Sequence, residues 1–267
     1  MDTRAALTDP TTIPSDLDDA ALAAELTRRA GGLAATMRDE GLTAEHKTSI
    51  SDIVTAADHA AEELVVAALH RLRPDDGIVG EECAEAPSRS GRTWVIDPVD
   101  GTYNFLSGMA YWCSALALRD ADRVILGSVH QPVTGEAWLG GRDLPTTLGG
   151  APLRPLEDLP LAEVCLATYL HPARLSDLDL REPWLRMLEG AATVRQLGSG
   201  SCDLAAVAAG RVGVWAQALV PEWDWQPGAA LVEAAGGRVV QLDVRGTTWR
   251  VAGRPSAVDE VVVRLLG

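Results

Sequence analysis

The chain contains one lysine, one asparagine and one phenylalanine: Lys47, Asn104 and Phe105. Arginine carries nearly all of its positive charge, and acids outnumber bases to leave a net −15. Residues kept in one copy under such a bias are either needed where they stand or accidents of small counts. All three fall in or beside the motifs described below. A surface this acidic repels nucleic acid and anionic membrane. It also repels a phosphate ester unless cations or local arginines reverse the field. No run of ~18 uncharged apolar residues exists, so no membrane span is expected. Met1 to Asp19 lacks a basic segment followed by an apolar one, so no secretory signal is expected. Cys83, Cys113, Cys165 and Cys202 show no paired spacing, which makes reduced thiols in the cytoplasm the default. The histidines lack zinc spacing. No P-loop and no complete dinucleotide fingerprint occurs.

What is present centres on Trp94-Val95-Ile96-Asp97-Pro98-Val99-Asp100-Gly101-Thr102-Tyr103-Asn104-Phe105. Trp94 to Ile96 reads as a short buried strand. Proline has no ladder donor, so the strand is expected to stop at Pro98. The Asp-Pro-Val-Asp-Gly turn then gathers two carboxylates, a carbonyl and a hydroxyl, a set suited to a hard cation such as magnesium. An acidic turn that merely closes a strand would use the same residues. Two further acidic clusters lie at expected element ends: Glu81-Glu82 after Ile78-Val79, and Glu222-Trp223-Asp224 before an Ala-rich helix. Each has a plain reading as well, a solvated surface pair and a helix N-cap. Brought together, the three clusters would repel one another unless a cation stood between them.

Along the chain, residues 1–15 read as a flexible tail. Residues 16–145 read as an α+β half with the metal motifs, and 146–267 as an α/β half completing the site. Asp143 to Pro160, with its prolines and paired glycines, reads as the junction. Helices are expected over Asp18–Asp39, weakened at Gly31-Gly32, and from a Thr55 cap to about Leu72. Asp58 falls in the first turn of the second helix, where a capping carboxylate suits the dipole. Tyr111–Leu118, Arg123–His130 and Glu136–Leu139 read as strands. In the second half, Gly198-Ser199-Gly200-Ser201 opens a helix and can hold an anion on free amides, or simply form an ordinary cap. Ser256 is expected to cap a last helix.

Gly80-Glu81-Glu82, Asp97-Pro98-Val99-Asp100-Gly101-Thr102, Trp223-Asp224 and Glu233-Ala234-Ala235-Gly236-Gly237 together resemble the inositol monophosphatase family. The match runs from about Lys47 to Gly237. The resemblance implies a layered α-β-α-β-α sandwich of the sugar-phosphatase type and a lithium-sensitive phosphomonoesterase using two or three Mg2+ ions. It also implies a homodimer acting on a small phosphorylated metabolite. By this resemblance Glu81, Asp97 and the Val99 carbonyl hold one ion. Asp97, Asp100 and Asp224 hold a second, with Asp97 bridging. Thr102 and Asp58 orient the attacking water with Glu81, and the amides of Gly101 and Thr102 face the phosphate. The loop Gly198, Ser199, Gly200 contacts substrate, as do Gln217 and Asp224. Lys47, Asp52 and Asp58 match a further family segment, in which the last aspartate orients the motif threonine. As the one lysine of the chain, just upstream of Asp52 and Asp58, Lys47 is expected to set a compact ammonium beside the metal carboxylates, the plain alternative being an exposed lysine kept by chance. One position departs: family members acting on inositol phosphates usually carry a glutamate where Gln217 stands. That leaves histidinol phosphate, fructose 1,6-bisphosphate and 3′-phosphoadenosine nucleotides as alternative substrates. A non-catalytic relative or a calcium-binding structural protein would keep the acids without the hydrolysis.

Overall fold

The computed structural model describes residues 7–41, 44–46, 53–82, 85–121 and 123–267. The first helix, α1 (Asp19–Glu40), runs unbroken through Gly31-Gly32. The Asp18 carboxylate caps it by accepting from the Ala21 amide at 2.8 Å. Leu22, Leu26, Leu33 and Met37 share its buried face. The preceding segment is less loose than its polarity suggests. Arg71 of the next helix donates to the carbonyls of Pro10 and Ile13 at 2.6 and 2.7 Å, and Ile13 is buried. Two antiparallel strands, β1 (Ala44–His46) and β2 (Ile53–Thr55), lead directly into α2 (Ala56–Leu72).

Next come β3 (Gly77–Gly80), β4 (Glu85–Ala86), β5 (Thr93–Asp100), the short helix α3 (Thr102–Leu106) and β6 (Cys113–Arg119). β7 (Val124–Gln131), β8 (Glu136–Gly141), β9 (Leu144–Leu148) and β10 (Ala151–Pro152) complete an eight-stranded sheet ordered β10-β9-β8-β7-β6-β5-β3-β4. Among the described residues of this sheet only β3 and β5 pair in parallel. The expected junction at Asp143–Pro160 is therefore half occupied by strands, and the first sheet extends past residue 145 to Pro152. The strand through Trp94 also does not stop at Pro98. It continues to Asp100 across a register shift, pairing Asp97 with Ala115 and Asp100 with Cys113. One extra residue on β5 is thereby left out of the ladder, so the missing proline amide costs no bond.

The second half contains β11 (Cys165–Ala167), α4 (Leu178–Leu188), β12 (Thr193–Arg195), α5 (Gly200–Ala208), β13 (Val214–Ala218) and α6 (Glu222–Ala234). It ends with β14 (Arg238–Val244), β15 (Thr247–Gly253) and α7 (Pro255–Leu266). The five strands order as β12-β11-β13-β15-β14. The sequence reads as no strand between Val239–Leu242 and the last helix, yet β15 lies there. It forms because Arg245 and Gly246 both take positive φ, 53° and 76°, and close a tight hairpin with β14. Ser256 is not the cap of α7. Pro255 already occupies the first turn, and the Ser256 amide and hydroxyl donate to Asp158.

Alternation along β6 explains the layering. Leu116 and Leu118 join the core beneath α1 and α2, while Cys113 and Ala115 join the core beneath α5 and α6. In the second sheet Trp215 and Ala252 face α5 and α6, and Val214, Ala216 and Val251 face α4 and α7. The result is the expected five-layer α-β-α-β-α sandwich, with α5 and α6 as the shared middle layer. The layers meet closely: a Cβ at Gly127 of β7 would fall 2.0 Å from the Pro227 carbonyl oxygen of α6. Helix α6 thus lies directly on β7, and its first turn reaches the C-terminal end of β5.

Candidate metal centre

Residues three apart on a regular strand point to opposite faces. The extra residue between Asp97 and Asp100 returns both to one side, where α6 presents Asp224. One carboxylate oxygen from each of Asp97, Asp100 and Asp224 lies within 4.8 Å of the others. Asp97 and Asp100 are buried and Asp224 is half-buried. Burial pushes the Asp97 carboxyl well above the usual range, and the charges of Glu81, Asp100 and Asp224 push it further. Asp224 is raised to about 8, first by burial and then by the charge of Asp100.

The three acids differ in what satisfies them. Asp100 accepts the first amides of α5, from Gly200 at 3.2 Å and Ser201 at 2.5 Å. These bonds oppose the effect of burial on its carboxyl. Neither oxygen of Asp97 receives a donor among the described residues. A buried carboxylate without donors calls for a proton or a cation. Oxygen donors from a strand end and a helix start, with nothing soft among them, fit a small hard ion.

Thr102 begins α3 next to this cluster. Its hydroxyl donates toward the Val99 carbonyl at 3.1 Å and lies 3.4 Å from Asp58 Oδ1, which reaches across from the first turn of α2. Gly101 takes φ +94°, and a Cβ there would sit 3.1 Å from both the Gly198 carbonyl oxygen and Ser199 Cβ. The glycine supplies the turn and also lets the second half close onto the first. The single asparagine completes that closure. Asn104 Nδ2 donates to the Tyr111 carbonyl at 2.8 Å and to the Leu197 carbonyl at 2.7 Å, holding the 197–200 loop in place. The single phenylalanine meets Trp112 edge-on at 4.7 Å, with the Arg38 guanidinium 5.3 Å from both rings.

Other expected residues are placed differently. The amides of Gly200 and Ser201, expected to be free for a substrate anion, already hold the carboxylate of Asp100. Ser199 accepts from the Cys202 amide at 3.3 Å as the α5 cap. The reason is proximity: a helix start aimed at a buried acid satisfies both. Glu81 acts on Asp97 by its charge and lies within hydrogen-bonding reach of it. The Glu82 carboxylate instead stands 4.0 Å from His59 Nδ1. Gln217 is half-buried on β13, paired in register with Arg250 of β15. Lys47, Asp52 and Cys83 lie outside the described residues. Cys113, Cys165 and Cys202 are free thiols.

Three features near the centre are absent from the reading of the sequence. Ser201 serves through its backbone, which composition does not reveal. Tyr111 donates to the buried Asp203 at 2.8 Å, and burial raises the Asp203 carboxyl to about 8. Arg250 lies in a strand that the sequence hides, although its place between Trp249 and Val251 is a signal for alternation.

The family model described as inositol monophosphatase matches residues 16–263. Nus factor SuhB of Pseudomonas aeruginosa is 35% identical over 195 residues, covering 70% of this chain and 72% of that protein. Histidinol-phosphatase of Mycobacterium tuberculosis is 34% identical over 225 residues, covering 79% and 84%. The solved inositol monophosphatase from Anabaena superposes with a TM-score of 0.79 at 26% identity, covering 92% of this chain and 94% of that one.

Proposed function

Since the chain belongs to the inositol monophosphatase family, and is a phosphoric monoester hydrolase by that membership, we propose that it hydrolyses a small phosphorylated metabolite with magnesium at Asp97, Asp100 and Asp224. The observation that carries this reading is Asp97: buried, without a donor on either oxygen, and surrounded by further carboxylates. Asp97 would be shared by two ions, with Glu81 and the Val99 carbonyl on one side and Asp100 and Asp224 on the other. When bound, magnesium supplies charge neutralisation and Lewis-acid activation of water and phosphate.

The chain's own residues supply position. Thr102, steadied by Asp58, orients the attacking water with Glu81. The amides of Gly101 and Thr102 face the phosphate oxygens. The water oxygen attaches to phosphorus, the ester P–O bond breaks, and the alcohol leaves with a proton. Lys47, the one lysine among the basic residues, is assigned beside these carboxylates as a compact point charge. Lithium is expected to inhibit at millimolar concentration, and a cytoplasmic homodimer is the expected form. Histidinol phosphate, fructose 1,6-bisphosphate and 3′-phosphoadenosine nucleotides join inositol phosphate as candidate substrates.

Release of inorganic phosphate from a panel of such esters, with and without magnesium, tests the reading. Absence of release from every ester with any divalent cation would end it. Gln217 gives a finer test. Gln217→Glu is expected to raise kcat/KM for inositol 1-phosphate about tenfold, the scale of one charge-assisted hydrogen bond. A wild-type chain that already prefers inositol phosphate over all other esters contradicts that role for Gln217.

A further inference from the structure

The Gln217–Arg250 pair lies on the sheet face that carries α6. Trp215, two residues before Gln217, stacks on Trp225 with ring centroids 5.5 Å apart. The Arg250 guanidinium carbon stands 5.7 Å from the centroid of the same Trp225. Trp225 directly follows Asp224, so the aromatic ring fixes a cation beside the first turn that carries the metal ligand. Arg250 Nη1 donates to the Pro221 carbonyl at 2.9 Å, and Nε to Gln241 Oε1 at 3.3 Å. Nη2 has no partner among the described residues. The charges of Glu222 and Asp224 act on Arg250 against the effect of its burial, and Arg250 in turn acts on Asp224.

These neighbours do not neutralise it in a loaded site. Glu222 is engaged elsewhere, 3.4 Å from Arg119 Nε and accepting from Gln226 at 2.9 Å. The charge of Asp224 is taken up by any cation held there. What remains next to the centre is a half-buried guanidinium whose Nη2 bonds to none of the described residues, beside a neutral Gln217. In a chain of net charge −15, a fixed cation at that place attracts an anion that the rest of the surface repels.

Resting on the phosphatase reading above, we propose that Arg250 is a specificity-determining residue that selects phosphate esters whose leaving group carries a second anionic group, a carboxylate or another phosphate, over esters of neutral polyols. The guanidinium grips that second group while the metal centre holds the phosphate to be cleaved.

The test compares kcat/KM for glycerol 3-phosphate, 3-phosphoglycerate and fructose 1,6-bisphosphate in the wild type and in Arg250→Gln. The wild type should prefer at least one charged ester. The variant should lose that preference, as a ratio to glycerol 3-phosphate, by about tenfold or more, with the loss in KM rather than kcat. The carboxylate and bisphosphate arms separately identify the second group. The unaltered chain gives an independent reading, free of any folding defect. Rising ionic strength should compress the preference, because the attraction of Arg250 for an anion is screened by salt. A ratio unchanged within twofold in Arg250→Gln overturns the proposal, as does a preference indifferent to salt. If glycerol 3-phosphate is cleaved but no charged ester is favoured, the hydrolase reading stands and the role of Arg250 falls. If none of the three is cleaved while another phosphate ester of the panel is, the hydrolase reading stands and the role of Arg250 falls; if the whole panel is inert with every divalent cation, both fall.

Discussion

The eight-stranded half brings charge to the centre, whereas the five-stranded half brings mainly the starts of helices. On the first side Asp97 and Asp100 sit three residues apart on one strand, with Glu81 at the end of its parallel neighbour. On the second side α5 offers two backbone amides and α6 offers Asp224 in its first turn. The difference shows in how each acid is treated. Asp100 faces a helix start and is satisfied by the protein. Asp97, next to it on the same strand, is left without a donor. A fold that solvates one buried carboxylate with amides and leaves its neighbour bare leaves that neighbour in need of a proton or a cation.

The largest expected effect strikes the bare acid. Asp97→Asn should lower phosphatase turnover by about a hundredfold or more at saturating magnesium. The metal-free variant should melt no lower than the wild type, since a buried unpartnered charge has been removed. A variant retaining a tenth of wild-type turnover would show that Asp97 is not the shared ligand.

A smaller effect is expected where the two halves are joined. Asn104→Ala leaves the Tyr111 and Leu197 carbonyls without their donor, at a cost of about 2–4 kcal/mol. The melting temperature should fall by roughly 5 °C or more. The α5 amides would drift from Asp100, so magnesium affinity should fall about tenfold. A magnesium titration of the rate that is unshifted in a destabilised variant would make Asn104 a structural tie only.

The smallest effect separates two acids with similar raised pKa values, Asp224 in the metal cluster and Asp203 behind it, each about 8 in the folded chain against about 4 when unfolded. Each binds its proton more tightly when folded. Its contribution to stability is therefore complete below about pH 4 and is lost as pH rises through about 8. Metal-free protein should melt several degrees lower at pH 8 than at pH 5. Magnesium should raise the melting temperature more at pH 8, because it replaces the proton at Asp224 but not at Asp203. Equal stabilisation by magnesium at both pH values would argue that the ion does not use Asp224.

The make-up of the acidic cluster was legible in the chain alone. Asp97, Asp100, Gly101 and Thr102 fall within six residues, so two carboxylates, a turn glycine and a hydroxyl stay near one another wherever the segment packs. The family motifs added Glu81, Asp58 and Asp224 by type and spacing, and the five-layer fold came with them. Periodicity located the two long helices of the first half, since Leu22, Leu26 and Leu33 must share a face wherever that helix packs. Tertiary structure decided the rest. That Asp97 and Asp100 face the same way depends on one unpaired residue, which appears only once β6 fixes the register. That the Gly200 and Ser201 amides serve Asp100 depends on two chain segments a hundred residues apart, docked through Gly101 and Asn104. Backbone donors carry no letter in the sequence, so their targets are invisible until the halves meet. Arg250 is the sharpest case. In the sequence it is one arginine among many, and only the pairing of β13 with β15 and the ring of Trp225 set it beside the metal centre.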